Sequence, residues 1–287
     1  MPVADPILPL ALLEIDGLGQ VSANRITDRC NSVSAIRAAP REQLIIWLKS
    51  VPGAAKIAAR LQEGEELDRA MDRAREEVRA TESRGIKVLT RFSAAWPRSL
   101  AAMPHADRPV ALYVYGHVEL LSRPSLAILG SAPHSDEAFT SAQTIGSMAH
   151  TAGFPIVCGA VQGFDVPFHR RAASERKPLI MVAAVGLGKI ESSLRPAISG
   201  AINGGGLLIS PFSMNHGPFD HDIGHAMKVM AGLAAGVVAT EFELHPHISA
   251  AVEASTGLKP VLQIPSTGLS RDDLESFLAE VANTSQS

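Results

Sequence analysis

The clearest pattern in the chain is a series of short apolar segments separated by stretches with helical spacing. Leu126–Leu129 is apolar throughout and ends in Gly130-Ser131; a helix-like pattern follows, and a second apolar segment, 154–157, ends in Cys158-Gly159. Strand, glycine turn, helix, strand is the opening unit of a parallel α/β sheet. Further apolar strands are predicted at 179–185, 206–210, 236–242 and 260–265, with helices between them. Strands that are apolar at every position belong in a sheet covered on both faces. Two more short strands are predicted before this block, at 86–89 and at 111–115, the latter closed by Gly116. The run Gly204-Gly205-Gly206 reads as a turn into a strand, because no helix starts there. Ile145, Met148 and Ala149 form an apolar helix face that belongs to the core. The expected fold is α/β: a mainly parallel, doubly wound, Rossmann-like sheet.

Residues 9–80 read as helical. LALLEIDGLGQVSANRITDRC is broken by Gly17 and Gly19, and VPGAAKIAARL repeats the form around Pro52 and Gly53. In each, a helix, a small-residue turn and a new helix start leave Ala23 and Ile26, or Ala58 and Leu61, to pack behind the turn. These segments are similar to helix-hairpin-helix (or SAM-like) elements, whose turn amides can hold a nucleic-acid phosphate without reading sequence. Such hairpins also serve as plain packing units. The charged stretch 63–85, with pairs such as Glu65–Arg69, is expected to be a solvated linker helix ending at Gly85. After Ser266 one short helix and a frayed ANTSQS end are expected. The domain boundaries follow: a helical domain over 1–82, the Rossmann-like domain over 83–270, and a helix and tail over 271–287.

Composition narrows the function classes. Hydrophobic residues make up 46% and charged residues 19% of the 287, and the net charge is -3. This fits a soluble globular protein with a filled core, and no global basic field drives nucleic-acid binding, which would need a local patch. Cys30 and Cys158 are the only cysteines, which argues against a disulfide framework and fits a reducing cytoplasm. No stretch approaches the ~18 apolar residues that span a bilayer, and MPVADPILPL lacks the basic start of a signal peptide. A cytoplasmic location without membrane contact is expected.

Candidate chemistry gathers in the loops after the strands. Open parallel sheets bind ligands at the carboxyl ends of their strands, and a glycine there lets backbone N–H groups approach a phosphate at a helix start. Gly130 and Ser131 form one such loop. CGAVQGFDVPFH supplies a second, with Gly159, Gly163, Asp165 and His169. G-x-G-x-x-G is absent, and the competing reading is a glycine that closes a tight turn. Asp165 and His169 are four apart, so His169 is expected to donate to Asp165 and order the loop, with direct ligand contact second. Cys158 has no adjacent base and reads as a small buried residue at a strand end rather than a nucleophile. His216, His221, His225, His245 and His247 fall in two loops that the topology brings together, but H-E-x-x-H is missing. No metal site, cofactor or catalytic residue is expected.

The ordered series of motifs resembles the DprA (Smf) family of DNA-processing proteins of bacterial transformation. The family's G-I-x-x-L-T…W-P-x-x-L segment appears as Gly85 to Leu100, and its L-Y-x-x-G step as Leu112, Tyr113 and Gly116. Its V-G-S-R loop appears as Leu129-Gly130-Ser131-Ala132, its S-G-x-A-x-G-I-D-x-x-A-H loop as CGAVQGFDVPFH, and A-G-L-x-x-x-V-V-x-x-E as Ala231 to Glu241. The resemblance implies a helical domain ahead of an extended Rossmann domain, a homodimer, binding of single-stranded DNA or a nucleotide phosphate, and assistance to a recombinase, without enzymatic activity. The chain departs from the pattern at the residues that touch phosphate. The loop arginine is Ala132, and the arginine-rich run before A-G-L is HDIGHAMKVM, which leaves Lys228. Arg170 and Arg171 are the other cations near the expected crevice, and the family's C-terminal winged-helix domain is not found in the sequence. Each lost arginine removes a phosphate contact, so single-stranded DNA binding is expected to be weak and lost with salt. The departures also suit a regulatory or defence-associated, antitoxin-like protein that acts on a partner such as a toxin. A nucleotide hydrolase of the lysine-decarboxylase-like (LOG) type ranks last, because P-G-G-x-G-T-x-x-E is absent. The small residues of Val229–Val238 suggest where two copies would meet in a dimer.

Overall fold

A computed structural model describes residues 4–284 of the chain. The chain divides into two compact units, one ending at Tyr113 and the other beginning at Val114.

The first unit is helical: α1 (Leu8–Leu13), α2 (Gln20–Thr27), α3 (Val33–Ala38), α4 (Arg41–Trp47), α5 (Ala54–Glu63) and α6 (Glu66–Glu82), then β1 (Lys87–Thr90), α7 (Arg98–Ala101) and the start of β2 (Ala111–Gly116). The two glycine turns lead into α2 and α5, as their spacing suggests. Gly17 has φ +86°, and a Cβ there would sit 3.0 Å from Cδ1 of Ile57 on α5, so this turn serves to pack one hairpin on the other. Helix α6 is not a solvated linker. Leu67, Ala70, Met71, Ala74, Val78 and Thr81 are buried on one face, a three-and-four spacing that the density of surrounding charge conceals in the sequence. Glu66 pairs with Arg60.

The first unit also runs past residue 82. Asn24 donates to the carbonyl of Arg108 at 2.7 Å, Arg108 reaches Asp28 at 2.7 Å, and Tyr113 donates to Glu77 at 2.9 Å. These bonds tie 83–113 to the helices. Burial, with Glu77 alongside, pushes the Tyr113 hydroxyl above its ordinary pKa.

The second unit continues with β3 (Leu126–Leu129), α8 (Asp136–Thr151), β4 (Ile156–Gly159), α9 (Val166–Glu175), β5 (Leu179–Val182), α10 (Arg195–Asn203), β6 (Leu207–Ser210), α11 (Asp220–Leu233), β7 (Gly236–Thr240), α12 (Pro246–Ser255), β8 (Val261–Ile264) and α13 (Arg271–Thr284). From the end of β2 the strand order is β2-β6-β5-β4-β3-β7-β8. The pairs from β6 to β8 are parallel, with Leu126 opposite both Ile156 and Gly236. The fold is the expected Rossmann-like α/β sheet.

Period-two alternation assigns the faces. Leu126, Ile128, Ile156, Cys158, Leu179, Met181 and Val238 share a core with buried residues of α8, α9, α10 and α13. The intervening Ala127, Val157, Ile180 and Val237 are also buried, which fits a sheet covered on both sides. Helix α13 contributes Leu274, Phe277, Leu278 and Val281 to this core rather than forming a separate tail. The expected frayed ANTSQS end begins inside α13, and 285–287 lie outside the described residues.

The proposed dimer segment is interior. Val229, Met230, Ala231, Leu233, Val237 and Val238 are buried in the last turns of α11 and in β7, so their small size serves helix-to-sheet packing and not the approach of two copies. Lys259 closes the end of α11, donating to the carbonyls of Ala231 at 2.7 Å and Ala234 at 2.6 Å. Burial pulls its ammonium down to about 8. Among the described residues no helix is long and apolar enough to cross a membrane.

Candidate nucleic-acid interface

Because β3 to β7 are parallel, the loops after them share one edge of the second unit. The order of connection reverses at β3, with β4, β5 and β6 on one side and β7 and β8 on the other. In open α/β sheets ligands bind outside such a reversal.

The loop after β3 is filled from within. A Cβ on Gly130 would run into the ring of Phe164. Phe164 stands edge-on to Phe139 (5.4 Å between centroids) and to His134 (5.7 Å), and His134 stacks on Phe139 at 4.5 Å. Helix α8 does not start at Gly130-Ser131 as expected; residues 131–135 intervene. Ser135 is the N-cap, its hydroxyl accepting from Ala138 at 3.3 Å. Its own N–H donates to Glu241 at 2.9 Å, and Asp136 and Glu137 lie in the first helical turn. The positive end of α8 therefore already faces carboxylates. Glu241 reaches it from a left-handed backbone, φ +43°. Ser131 is half-exposed, with its hydroxyl 3.5 Å from the Ala132 carbonyl.

The loop after β4 is a closed clamp on one residue. Asp165, the N-cap of α9, accepts from the N–H of Gly159 at 3.1 Å and also from that of Val161. Its carboxylate fills the space that a Gly159 Cβ would need. His169 lies with Nε2 2.8 Å from the Gly159 carbonyl, an acceptor, so Nε2 carries the proton. The expected His169–Asp165 bond is thus replaced: at four residues' spacing the two side chains hold opposite poles of the same peptide. The other ring nitrogen of His169, Nδ1, is buried with no hydrogen-bond partner among the described residues. Burial raises the Asp165 carboxyl to about 7 against the pull of those two N–H groups. It lowers the His169 imidazole, while the Gly159 carbonyl works the other way. Cys158 is fully buried, and its thiol is pushed up by burial and by Asp165, so it is no nucleophile. Gly163, at φ +85°, is exposed and faces Ala132, which a Cβ would approach to 3.3 Å. The two glycine loops are therefore neighbours.

The segment after β6 has the opposite character. Phe212 stacks on His216 at 4.6 Å with the rings 5° from parallel. Phe219 stands edge-on to His216 at 5.3 Å, and His221 lies nearly parallel to Phe219 at 5.7 Å. His225 leans on Phe212 at 5.6 Å. Asp222, buried under this row, holds His216 at 2.8 Å and His221 at 3.4 Å. Phe219 is 53% exposed, an unusual state for a large aromatic side chain. His247 of α12 packs on Gly224, where a Cβ would be 2.9 Å from its Nδ1, so the topology does bring the two histidine loops together. His245 is the N-cap of α12. No group of three or more His, Cys, Asp or Glu among the described residues is arranged to hold a metal.

The cations are dispersed. Lys228 is half-buried on α11, three residues beyond His225. Arg171 pairs with Glu175 at 3.0 Å. Arg170 lines a cleft of about 560 Å³ together with Gln162, Ser174 and Ser193, and Gln162 donates to Ser193 at 2.8 Å. The histidines stood out in the sequence, but Phe212 and Phe219 did not. The spacing F-x3-H-x2-F-x-H at the end of a strand was the available signal.

A model of the family described as DNA recombination-mediator protein A matches residues 87–267. The chain belongs to this family. It is 28% identical to Protein Smf of Escherichia coli (strain K12) over 139 residues, which are 48% of the chain and 37% of that protein. It is 25% identical to DNA processing protein DprA of Streptococcus pneumoniae over 138 residues, 48% of the chain and 49% of the relative. The matched region thus spans half or less of these relatives. The solved structure of DNA processing protein A from S. pneumoniae superposes with a TM-score of 0.57 and 18% identity, covering 93% of each chain. That of DNA processing protein A from Helicobacter pylori, described by its single-stranded DNA binding mode, gives a TM-score of 0.55 at 17% identity, over 70% of this chain and 96% of that one. Both share the fold.

Proposed function

We propose that this family member binds single-stranded DNA as a non-catalytic DNA-processing protein, and that the Phe212–His225 segment is where bases stack. The observation that carries this reading is the exposed row of alternating phenylalanine and histidine rings at the carboxyl edge of the sheet. Every base has a π-face, so such a row grips single strands without reading sequence, at about 1–3 kcal/mol per stacked base. Arg170 and Lys228 supply charge nearby, whereas the helix start where a phosphate would ordinarily rest is occupied by Glu241. Binding is therefore weak at physiological salt, and stacking supplies the part that salt leaves unchanged.

Fluorescence anisotropy with a labelled oligo-dT tests the assignment. Phe219→Ala is expected to weaken binding about tenfold with the fold intact. Unchanged affinity would remove the rings from the DNA reading. The exposed Phe219 and Ile223 would then favour a protein partner on this face.

A further inference from the structure

The first unit holds, by itself, a concentration of positive charge around one carboxylate. Asp28, just past the end of α2, is engaged by Arg91 from the end of β1. His105 also reaches it at 2.6 Å, and Arg108 at 2.7 Å. Arg25 and Arg29 stand on the same last turn of α2. They spend their donors on backbone, Arg25 on the Lys49 carbonyl at 2.9 Å and Arg29 on the Arg25 carbonyl at 2.8 Å, and Arg29 lies 5.5 Å over the Trp47 ring. Even with Asp107, the residue before Arg108, four arginines face two carboxylates.

A purely structural ion network balances its buried charges, because an uncompensated one is costly. This one does not balance. Arg108 forms the floor, with a side chain only 6% exposed, and its Nε–H is buried with no hydrogen-bond partner among the described residues. Burial lowers the pKa of Arg91 and Arg108, and that of His105 as well, which Arg108, Arg25, Arg29 and Arg91 depress further. His105 is thus a neutral donor, and the surplus charge belongs to the arginines. Arg25, Arg29 and Arg91 form the accessible lip. Guanidinium groups convergent on one spot, an unpaired buried donor and a deficit of negative charge together describe a seat for a tetrahedral oxyanion.

We propose that the Arg25–Arg29–Arg91–Arg108 cluster is a phosphate-group site, filled by a backbone phosphate of single-stranded DNA. The DNA source rests on the function proposed above; the phosphate site itself does not. The full chain with Arg25 and Arg29 both changed to Gln is the variant of choice, because Asp28 keeps Arg91 and Arg108 paired and the fold has no reason to fail. A circular-dichroism melt without ligand checks that it does not.

Two measurements then separate the sources. Inorganic pyrophosphate should raise the melting temperature of the wild type and leave that of the double variant unmoved. With oligo-dT, the slope of log affinity against log salt should fall by about 1.4 in the variant, two contacts at ~0.7 each, with roughly 20-fold weaker binding at about 0.1 M salt. A pyrophosphate effect without a change of slope keeps the phosphate site and assigns it to a free phosphate compound. If the wild type binds no oligo-dT at all, the proposed function fails while the pyrophosphate arm still reads the site. Pyrophosphate without effect on the wild type, together with an unchanged slope or no DNA binding, overturns the proposal.

Discussion

The loop after β4 and the segment after β6 leave the same edge of the sheet, and they use their polar side chains in opposite directions. After β4, Asp165 and His169 turn inward and hold the two poles of the Gly159 peptide, while Phe164 covers Gly130 in the neighbouring loop. After β6, one buried carboxylate, Asp222, anchors a row of rings that face outward. The first arrangement satisfies itself and leaves little for a ligand. The second exposes a flat, polarisable surface at the cost of leaving Phe219 in water. Glycines in a strand-end loop therefore do not by themselves mark a phosphate cradle; what fills the space over them decides.

The sharpest way to break this contrast is to empty that space. Phe164→Ala is expected to lower stability by about 3–5 kcal/mol, the range for a buried phenylalanine. Gly130→Val should cost about 1–3 kcal/mol through overpacking against the same ring. In the Phe164→Ala background the added valine should cost much less, since the two positions contest one volume. Urea denaturation of the four proteins of this cycle measures the coupling. A Gly130→Val protein with wild-type stability but no oligo-dT binding would return Gly130 to the role of ligand contact.

Next in size is the clamp. Asp165→Ala leaves the Gly159 N–H unpaired in the interior, at about 1–3 kcal/mol. Asp165 also gives stability a pH dependence whose sign is fixed. Its carboxyl ordinarily titrates at 3.8 and in the fold at about 7, so the folded protein holds this proton more tightly than the unfolded chain. The contribution is full below about pH 4 and is lost as pH rises through about 7, with a slope of at most ~1.4 kcal/mol per pH unit. His169, whose pKa is lowered, acts in the opposite sense, its contribution lost as pH falls. The difference between wild type and Asp165→Asn isolates the Asp165 part: denaturation midpoints from pH 4 to 8 should fall less steeply for Asp165→Asn. Parallel profiles would mean that Asp165 is ionised throughout.

Much of this architecture is legible before any coordinates. All eight strands lie within a few residues of where uniform apolarity placed them, because a parallel strand buried on both faces leaves an unbroken signature. Helix α6 was misread because charge is conspicuous along its length, while Leu67, Ala70, Met71, Ala74 and Val78 are spread one or two per turn. The site was harder. Asp165 and His169 were picked out as a pair, but sequence spacing cannot show that both address a backbone group rather than each other. Glu241 lies more than a hundred residues from Ser135, and only the β3–β7 pairing, Leu126 opposite Gly236, makes them neighbours. The ring row escaped because two phenylalanines among nine mean nothing until the turn before α11 stacks them on histidines.

On the outward-facing side the same logic predicts binding effects without stability effects. His221→Ala should change stability by about 0.5 kcal/mol or less, because the side chain is exposed. It should weaken oligo-dT binding several-fold by shortening the platform. A paired denaturation and anisotropy experiment reads both. A His221→Ala protein that is strongly destabilised would show that the row is a packing element after all, and the contrast with the β4 loop would disappear.

The smallest effect is the most diagnostic for the glycine loops. Glu241 presents its carboxylate to the N–H of Ser135 at the positive end of α8, a favourable placement that contributes about 0.3–1 kcal/mol at a partly exposed site. Glu241→Gln keeps the hydrogen bond through its amide oxygen and removes the charge, so stability should fall by no more than that. Its effect on DNA depends on what the carboxylate is doing. As a plain cap, its neutralisation leaves oligo-dT affinity within about twofold, because Asp136 and Glu137 still repel phosphate from the same turn. If the carboxylate instead stands in a position that a backbone phosphate can take, removing it should tighten binding and steepen the salt dependence by about 0.7. Anisotropy at several salt concentrations separates the two. Tighter, more salt-sensitive binding by Glu241→Gln would place a phosphate at the start of α8 and make the loop after β3 a contact site, whereas an unchanged curve leaves the rings after β6 as the surface that meets the strand.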